Sequence, residues 1–202
     1  MKKYTIMTKY VILLLVLSTS LFAKNSNKLN ISFSMNTISI NDSNNGYFSK
    51  QSLATEFSVE FLYEVIDNLY LGLNFENLLD EVNSDRTDSN QFDYLSTNLT
   101  LNYSQKLFKE LDALISLRSG YQKSFFILSK KEFSSNNFIV TPSLGLKYTL
   151  KLKENSFSFT YELGYRYQSS SDLKFKVESR DINYGTFSAS GIKQKFKISV
   201  LF

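Results

Sequence analysis

A set of charged side chains stands at alternate positions within otherwise apolar or small-residue stretches, and it is the most conspicuous chemistry in the chain. Glu56, Glu60 and Glu76 supply carboxylates early, Arg118 and Lys147 supply cations in the middle, and Glu162, Arg166, Lys193, Lys195 and Lys197 follow near the end. Groups of both signs are at hand to pair with one another. Acid–base or nucleophilic catalysis near neutrality is another matter. The chain has no histidine and no cysteine, so a serine beside an Asp or Glu finds no proton acceptor tuned near pH 7. Asp80 and Glu81 could hold a hard cation only weakly, and adjacent carboxylates are commonplace on a loop. These residues give no catalytic, cofactor-binding or metal-ligating set, and the chain is expected not to be an enzyme.

The elements that carry these charges read as strands. Over Ser156 to Gln168, Phe157, Phe159, Tyr161, Leu163, Tyr165 and Tyr167 alternate with Ser158, Thr160, Glu162, Gly164 and Arg166, the period of two that marks a strand with one apolar and one polar face. The same template fits seven more times. It is marked by Leu29 to Met35, Thr55 to Tyr63, Leu69 to Phe75, Leu95 to Tyr103, Ala113 to Tyr121, Phe138 to Tyr148 and Ile192 to Phe202. Eight is an even number, as an antiparallel barrel with both termini on one side requires. Abundant Phe and Tyr with a single Pro suit this all-β reading.

The connections sort by length. Glu64 to Asn68, Ser104 to Glu110 and Leu150 to Asn155 are short, whereas 41–50, 77–91, 123–137 and 169–186 are longer and polar. Short and long alternate along the chain, the asymmetry of tight turns on one side of a membrane and long loops on the other. The spacing therefore predicts a closed eight-stranded antiparallel up-and-down transmembrane β-barrel. Its bulky faces point to lipid and its charges fill a narrow lumen. An eight-stranded barrel has room inside only for its own side chains, and buried charges there must pair, so a plugged, salt-bridged interior is expected.

Aromatic girdles are expected at both rims, from Tyr63, Tyr103, Tyr148 and Phe157 near the short turns and from Phe75, Tyr94, Tyr121, Phe138, Tyr165 and Tyr167 near the long loops. Pro142, inside the sixth strand, is expected to cause a bulge or a lengthened bond, since it lacks an N–H. Leu173, Phe175 and Val177 alternate with Lys174, Lys176 and Glu178 in the last long loop, which predicts a hairpin projecting beyond the membrane.

Residues 1–23 read as a secretory signal peptide. Lys2, Lys3 and Lys9 precede an apolar run that is too short for a spanning helix, and small residues lead to Ala23. Residues 24–202 would then form the barrel domain. Removing the three lysines of the leader lowers the net charge from +4 to +1, so the basicity is no argument for a nucleic-acid partner.

The terminal stretch Lys195 to Phe202, with Phe196, Ile198, Val200 and Phe202 at alternate positions, resembles the closing strand of the small outer-membrane barrels of the OmpA, OmpX and opacity-protein type. The resemblance implies that these four residues form the signal read by the outer-membrane assembly machinery. It also implies Sec export and residence in the outer membrane of a Gram-negative-type bacterium, in contact with outer-membrane lipid. It brings no cofactor. The expected role is non-enzymatic, with four external loops displayed for envelope integrity, adhesion or host contact and an extracellular ligand reached through those loops. Two alternatives stand beside it: a small porin-like channel for ions or solutes, and a soluble periplasmic barrel that binds an apolar ligand.

Overall fold

The computed structural model describes residues 29–40, 52–78, 91–128, 131–152, 155–169, 171–177, 180–187 and 190–202. The expected leader, 1–23, and the loop 41–50 lie outside the described residues, as does most of the loop 77–91.

Ten strands are present among the described residues: β1 (Leu29–Ile40), β2 (Ser52–Ile66), β3 (Leu69–Leu78), β4 (Gln91–Lys106), β5 (Leu111–Leu128), β6 (Lys131–Leu152), β7 (Asn155–Gln168), β8 (Ser171–Val177), β9 (Arg180–Phe187) and β10 (Gly191–Leu201). Eight of them close a barrel in the order β1, β10, β7, β6, β5, β4, β3, β2, and every barrel pair is antiparallel. Each barrel strand thus neighbours those before and after it in the chain. The seam joins β1 to β10 from Asn30↔Leu201 to Ile38↔Lys193, and the Phe202 N–H donates to Leu29 O at 3.0 Å. Closure leaves no sheet edge among these eight strands.

The short turns lie together at one end. Asp67 and Asn68 join β2 to β3, with Asn68 at φ 66°, a left-handed conformation that asparagine tolerates better than most residues. The register shifts between Glu64 and Ile66, as in hairpin loops that pair a left-handed residue with a bulge. The Asn68 N–H donates to Glu64 Oε1 at 3.0 Å, which holds the turn.

The opposite end departs from the expected loop pattern. Within 123–137, read from the sequence as a loop, residues 123–128 and 131–137 are strand: the β5–β6 ladder runs from Leu111↔Tyr148 to Leu128↔Lys131. Gln122, Ser124, Ser135 and Asn137 point inward while Lys123, Phe125, Ser134 and Asn136 point out. On β6 both faces are polar over Ser134–Asn137, and on β5 Phe125, Phe126, Ile127 and Leu128 are apolar in succession, so neither stretch shows the alternation that marks a strand. Within the expected loop 169–186, β8 and β9 form a separate two-stranded sheet. Residues 77, 78 and 91 likewise belong to strands. Among the described residues β4, β5 and β6 run for 16, 18 and 22 residues against 10 for β3.

Pro142 produces no bulge. The β6–β7 ladder pairs Val140 with Tyr167 and Ser143 with Gly164 in one continuous register, and only Thr141 and Pro142 go unpaired on that side. The missing N–H is absorbed as a local gap in the ladder.

Polarity is inverted relative to a soluble barrel. Leu99 on β4, Leu144 on β6 and Phe196 on β10 are 57%, 65% and 57% exposed on the outer surface. Serines, asparagines and charges fill the inside, where Ser32, Ser58, Asn74, Asn98, Thr100 and Ser158 are buried. Two inner glycines let strands approach closely. A Cβ on Gly72 would sit 1.8 Å from Phe61 O, and one on Gly120 would sit 2.0 Å from Thr97 O.

Candidate functional site

The lumen gathers all the charges that stood out in the sequence. Glu56, Glu60, Glu76, Arg118, Lys147, Glu162, Arg166, Lys193, Lys195 and Lys197 are all buried there. Alternation explains the gathering, because successive side chains leave a strand on opposite faces. On β10 every second residue from Gly191 to Ser199 is buried and the residues between are exposed.

The charges fall into two tiers. Toward the long hairpins, Arg166 on β7 meets Glu56 on β2 at 2.6 Å and Glu76 on β3 at 3.8 Å. Lys193 on β10 bridges the same two carboxylates at 2.6 and 2.7 Å. Two cations face two carboxylates in this tier. Uncharged neighbours complete it: Asn36 donates to Glu56 Oε2 at 3.2 Å, and Asn74 and Ser96 donate to Glu76 at 2.8 and 3.1 Å.

The second tier lies nearer the short turns. Arg118 on β5 reaches Glu60 on β2 at 3.1 Å and Glu162 on β7 at 2.7 Å. Lys197 binds the same two carboxylates at 2.8 and 3.1 Å, and Lys195 binds Glu60 at 3.3 Å. Glu60 thus serves three cations. Ser143 donates to Glu162 Oε2 at 2.9 Å and accepts from Arg118 Nη1 at 3.2 Å. Below this tier Lys147 is loosely paired with Asp112 at 3.8 Å.

Apart from Lys197–Glu162, which joins the neighbouring β10 and β7, the pairs of both tiers cross the lumen between strands that are not neighbours in the sheet and tie its walls together. In a medium of low dielectric such pairing offsets the desolvation of each ion, which would otherwise cost several kcal/mol. Apolar side chains also enter the lumen at both ends, Leu62 and Leu114 toward the turns and Ile38, Leu78 and Ile139 toward the hairpins. A cavity of about 10 Å³ lies at the turn end, the room of about one water.

Some members of the site were not singled out in the sequence. Tyr94, assigned there to the outer girdle, points inward instead and is 1% exposed. Its hydroxyl accepts from Arg166 Nη1 at 2.8 Å, and the guanidinium carbon stands 4.7 Å from its ring centroid. The parity of β4 carries the signal, since Tyr94 falls in step with Ser96, Asn98 and Thr100 and out of step with Leu95 and Leu99. Gln122 accepts from Arg166 Nη2, and Ser34 and Ser58 share a hydrogen bond across β1 and β2. Asp112 had no signal beyond its place opposite Lys147.

The other girdle aromatics lie on the outside. Tyr121 packs edge-on against Phe138 at 5.6 Å and Tyr165 lies 4.6 Å from Tyr167 at the hairpin end, while Tyr63, Tyr103 and Tyr148 are exposed at the turn end. Phe196 and Ile198 are exposed on the outer face of β10, with Val200 and Phe202 half-buried; Phe202 packs against the Ile31 and Val59 cluster.

A closed eight-stranded up-and-down barrel that is polar within and apolar without is the fold of the small outer-membrane barrels. Comparison with solved structures gives the same fold. Neisserial surface protein A is similar to the chain with a TM-score of 0.59 at 11% identity, over 86% of this chain and 97% of that one. The outer membrane protein OprG from Pseudomonas aeruginosa is similar with a TM-score of 0.50 at 14% identity, over 88% and 96%. No protein-family model matches the sequence, and no curated protein is significantly similar to it. Likeness at such low identity is one of fold alone.

Proposed function

We propose that this chain is a non-enzymatic protein of the outer membrane of a Gram-negative-type bacterium, and that its barrel is an anchor presenting outer hairpins and loops for adhesion, host contact or envelope integrity. The observation that carries this reading is the inverted polarity. Soluble monomers rarely expose contiguous apolar patches beyond a few hundred Å², whereas a barrel in lipid needs an outward apolar band. In this reading residues 1–23 direct Sec export, and Phe196, Ile198, Val200 and Phe202 guide the assembly machinery.

The filled lumen favours an anchor over a porin-like channel. Two ion-pair tiers cross it, and the cavity beneath them has room for about one water. The ion pairs then serve to fill and brace the barrel. The tall wall of β4, β5 and β6 and the β8–β9 sheet provide the surface for an extracellular ligand. The absence of histidine and cysteine supports a non-enzymatic role.

Epitope tags on intact cells test the display role. A tag inserted between Leu128 and Lys131 is expected to be stained on intact cells, and one between Asp67 and Asn68 only after permeabilisation. Staining of the second tag and not the first on intact cells would overturn the orientation, and staining of neither would overturn surface display. Planar-bilayer recording tests the channel alternative: the purified barrel is expected to be silent, and steady unit conductance would contradict the anchor reading.

A further inference from the structure

On the outer surface, two rows of side chains wind around the barrel side by side. In the lower row Leu111 pairs with Tyr148, Tyr148 with Phe159, Phe159 with Ile198 and Ile198 with Phe33. In the upper row Leu146 pairs with Tyr161, Tyr161 with Phe196, Phe196 with Met35 and Met35 with Phe57. A groove of about 540 Å³ runs between the rows, walled by these residues. Its floor includes Ser34, Thr160 and Lys197, whose side chains are buried in the lumen. The two wall hydroxyls are engaged elsewhere: Tyr148 donates to Glu110 at 2.7 Å and Tyr161 to Gln194 at 3.5 Å. The walls therefore offer the groove apolar surface.

The rows climb as they wind. Continued from Phe33 through Val59, Phe75 and Thr97, the lower row returns to β5 at Tyr121, ten residues farther from the turn end than Leu111. The groove thus starts beside the β4–β5 turn and rises to Met35 and Phe57. Five strand steps separate β5 from β2 along it. At about 4.8 Å each, on strands tilted by about 35–45°, they lift the path by about 15 Å, the depth of one leaflet of a hydrocarbon core about 30 Å thick. The volume suits a long hydrocarbon chain. A dry protein cavity of about 150 Å³ takes the six carbons of benzene, so at the same room per carbon the groove holds about twenty.

The lower end carries an independent feature. In the β4–β5 turn, residues 107–110, the Leu107 and Phe108 N–H groups both donate to Leu111 O at 3.0 Å, and the Thr149 N–H on β6 donates to Glu110 O at 2.8 Å. The turn so fixed holds out Leu107 and Phe108, 49% and 72% exposed, between the exposed Lys106 and Lys109. Apolar side chains flanked by cations suit the headgroup layer of an anionic lipid surface.

We propose that the groove holds one acyl chain of an anionic diacyl phospholipid from the leaflet on the turn side, with the lipid phosphate at the Lys106 and Lys109 end. The inference rests on the reading that the outer face lies in a membrane, and it adds a defined lipid site to that reading. A lipid of the opposite leaflet is not the occupant, because its headgroup would stand at the hairpin end, beyond the reach of the groove.

Native mass spectrometry of the full barrel, folded in detergent micelles with dipalmitoyl phosphatidylglycerol, tests this. One lipid is expected to stay bound at collision energies that strip the detergent. The adduct is expected to be lost in Leu146→Trp, which fills the groove with an apolar side chain, and kept in Leu99→Trp, on the outer face of β4 away from it. Lys106→Gln combined with Lys109→Gln is expected to abolish the preference for this lipid over dipalmitoyl phosphatidylcholine. Heat-modifiable gel mobility verifies that each variant is folded, and should Leu146→Trp fail to fold, Met35→Trp on the same wall replaces it. A folded wild-type barrel without a stoichiometric lipid, an equal adduct in the folded tryptophan variant, or equal retention of the two lipids by the wild type would overturn the site and leave the membrane reading standing. A wild-type chain that stays soluble without detergent would overturn both.

Discussion

Arg166 Nη1 lies 2.6 Å from Glu56 Oε1, although 110 positions separate the two residues in the chain and they stand on β7 and β2. The pair can form only when the barrel is closed, because β10 and β1 lie between those strands. It is therefore a product of closure and also a brace across it.

Glu60 is the carboxylate on which most cations depend. Glu60→Gln leaves Arg118, Lys195 and Lys197 with Glu162 as their remaining carboxylate, and it is expected to destabilise the barrel by about 3–5 kcal/mol, the range for breaking a buried pair. Lys195→Met removes the cation of that tier whose ion pair is longest, 3.3 Å to Glu60, and is expected to cost less than about 1 kcal/mol, or to stabilise. Urea unfolding in detergent, followed by tyrosine fluorescence, measures both. A larger loss for Lys195→Met than for Glu60→Gln would contradict this order.

Tyr94 contributes to Arg166 in two separable ways. Tyr94→Phe removes the hydroxyl that accepts from the guanidinium but keeps the ring, and is expected to cost about 1.5–3 kcal/mol, as for a hydrogen bond to a charged group. Tyr94→Leu also removes the ring beneath the cation, and a further loss of about 0.5–2 kcal/mol is expected. The same unfolding measurement checks the order of the two. Equal losses would mean that the ring carries nothing.

Close strand approach makes Gly72 and Gly120 intolerant of a side chain. The methyl of an alanine would overlap a backbone carbonyl oxygen at either place, and backbone has little freedom to yield. Gly72→Ala and Gly120→Ala are each expected to destabilise by at least about 1–3 kcal/mol and to lower the yield of heat-modifiable barrel. Wild-type stability in both would show that the strands can separate there without cost.

The outer face is expected to reject charge according to its depth. Leu99→Arg, in the apolar belt of β4, is expected to cost about 2–4 kcal/mol when unfolding is measured from lipid vesicles. On a soluble protein an exposed leucine replaced by arginine usually changes stability by no more than about 0.5 kcal/mol. An effect of that small size would favour a water-facing exterior.

Strand number, strand order and the inward set of charges were legible in the sequence because alternation determines face, and face determines whether a residue meets the lumen. Lys193, Lys195 and Lys197 could be placed together from three alternate positions alone. Which carboxylate each lysine meets was not legible, since that depends on stagger between strands distant in the chain. The tops of β5 and β6 were hidden because neither alternates: Ser134, Ser135 and Asn136 on β6 are polar on both faces, and Phe125 to Leu128 on β5 are apolar in succession. Tyr94 was misplaced when its bulk was given more weight than its parity.

Cell fractionation tests the central claim most directly, namely that the apolar outer face of the barrel lies in a membrane. The mature chain is expected in the outer-membrane pellet, released only by detergent, and migrating on gels at different positions before and after boiling. Recovery in the soluble periplasmic fraction without detergent, with one mobility in both conditions, would contradict it.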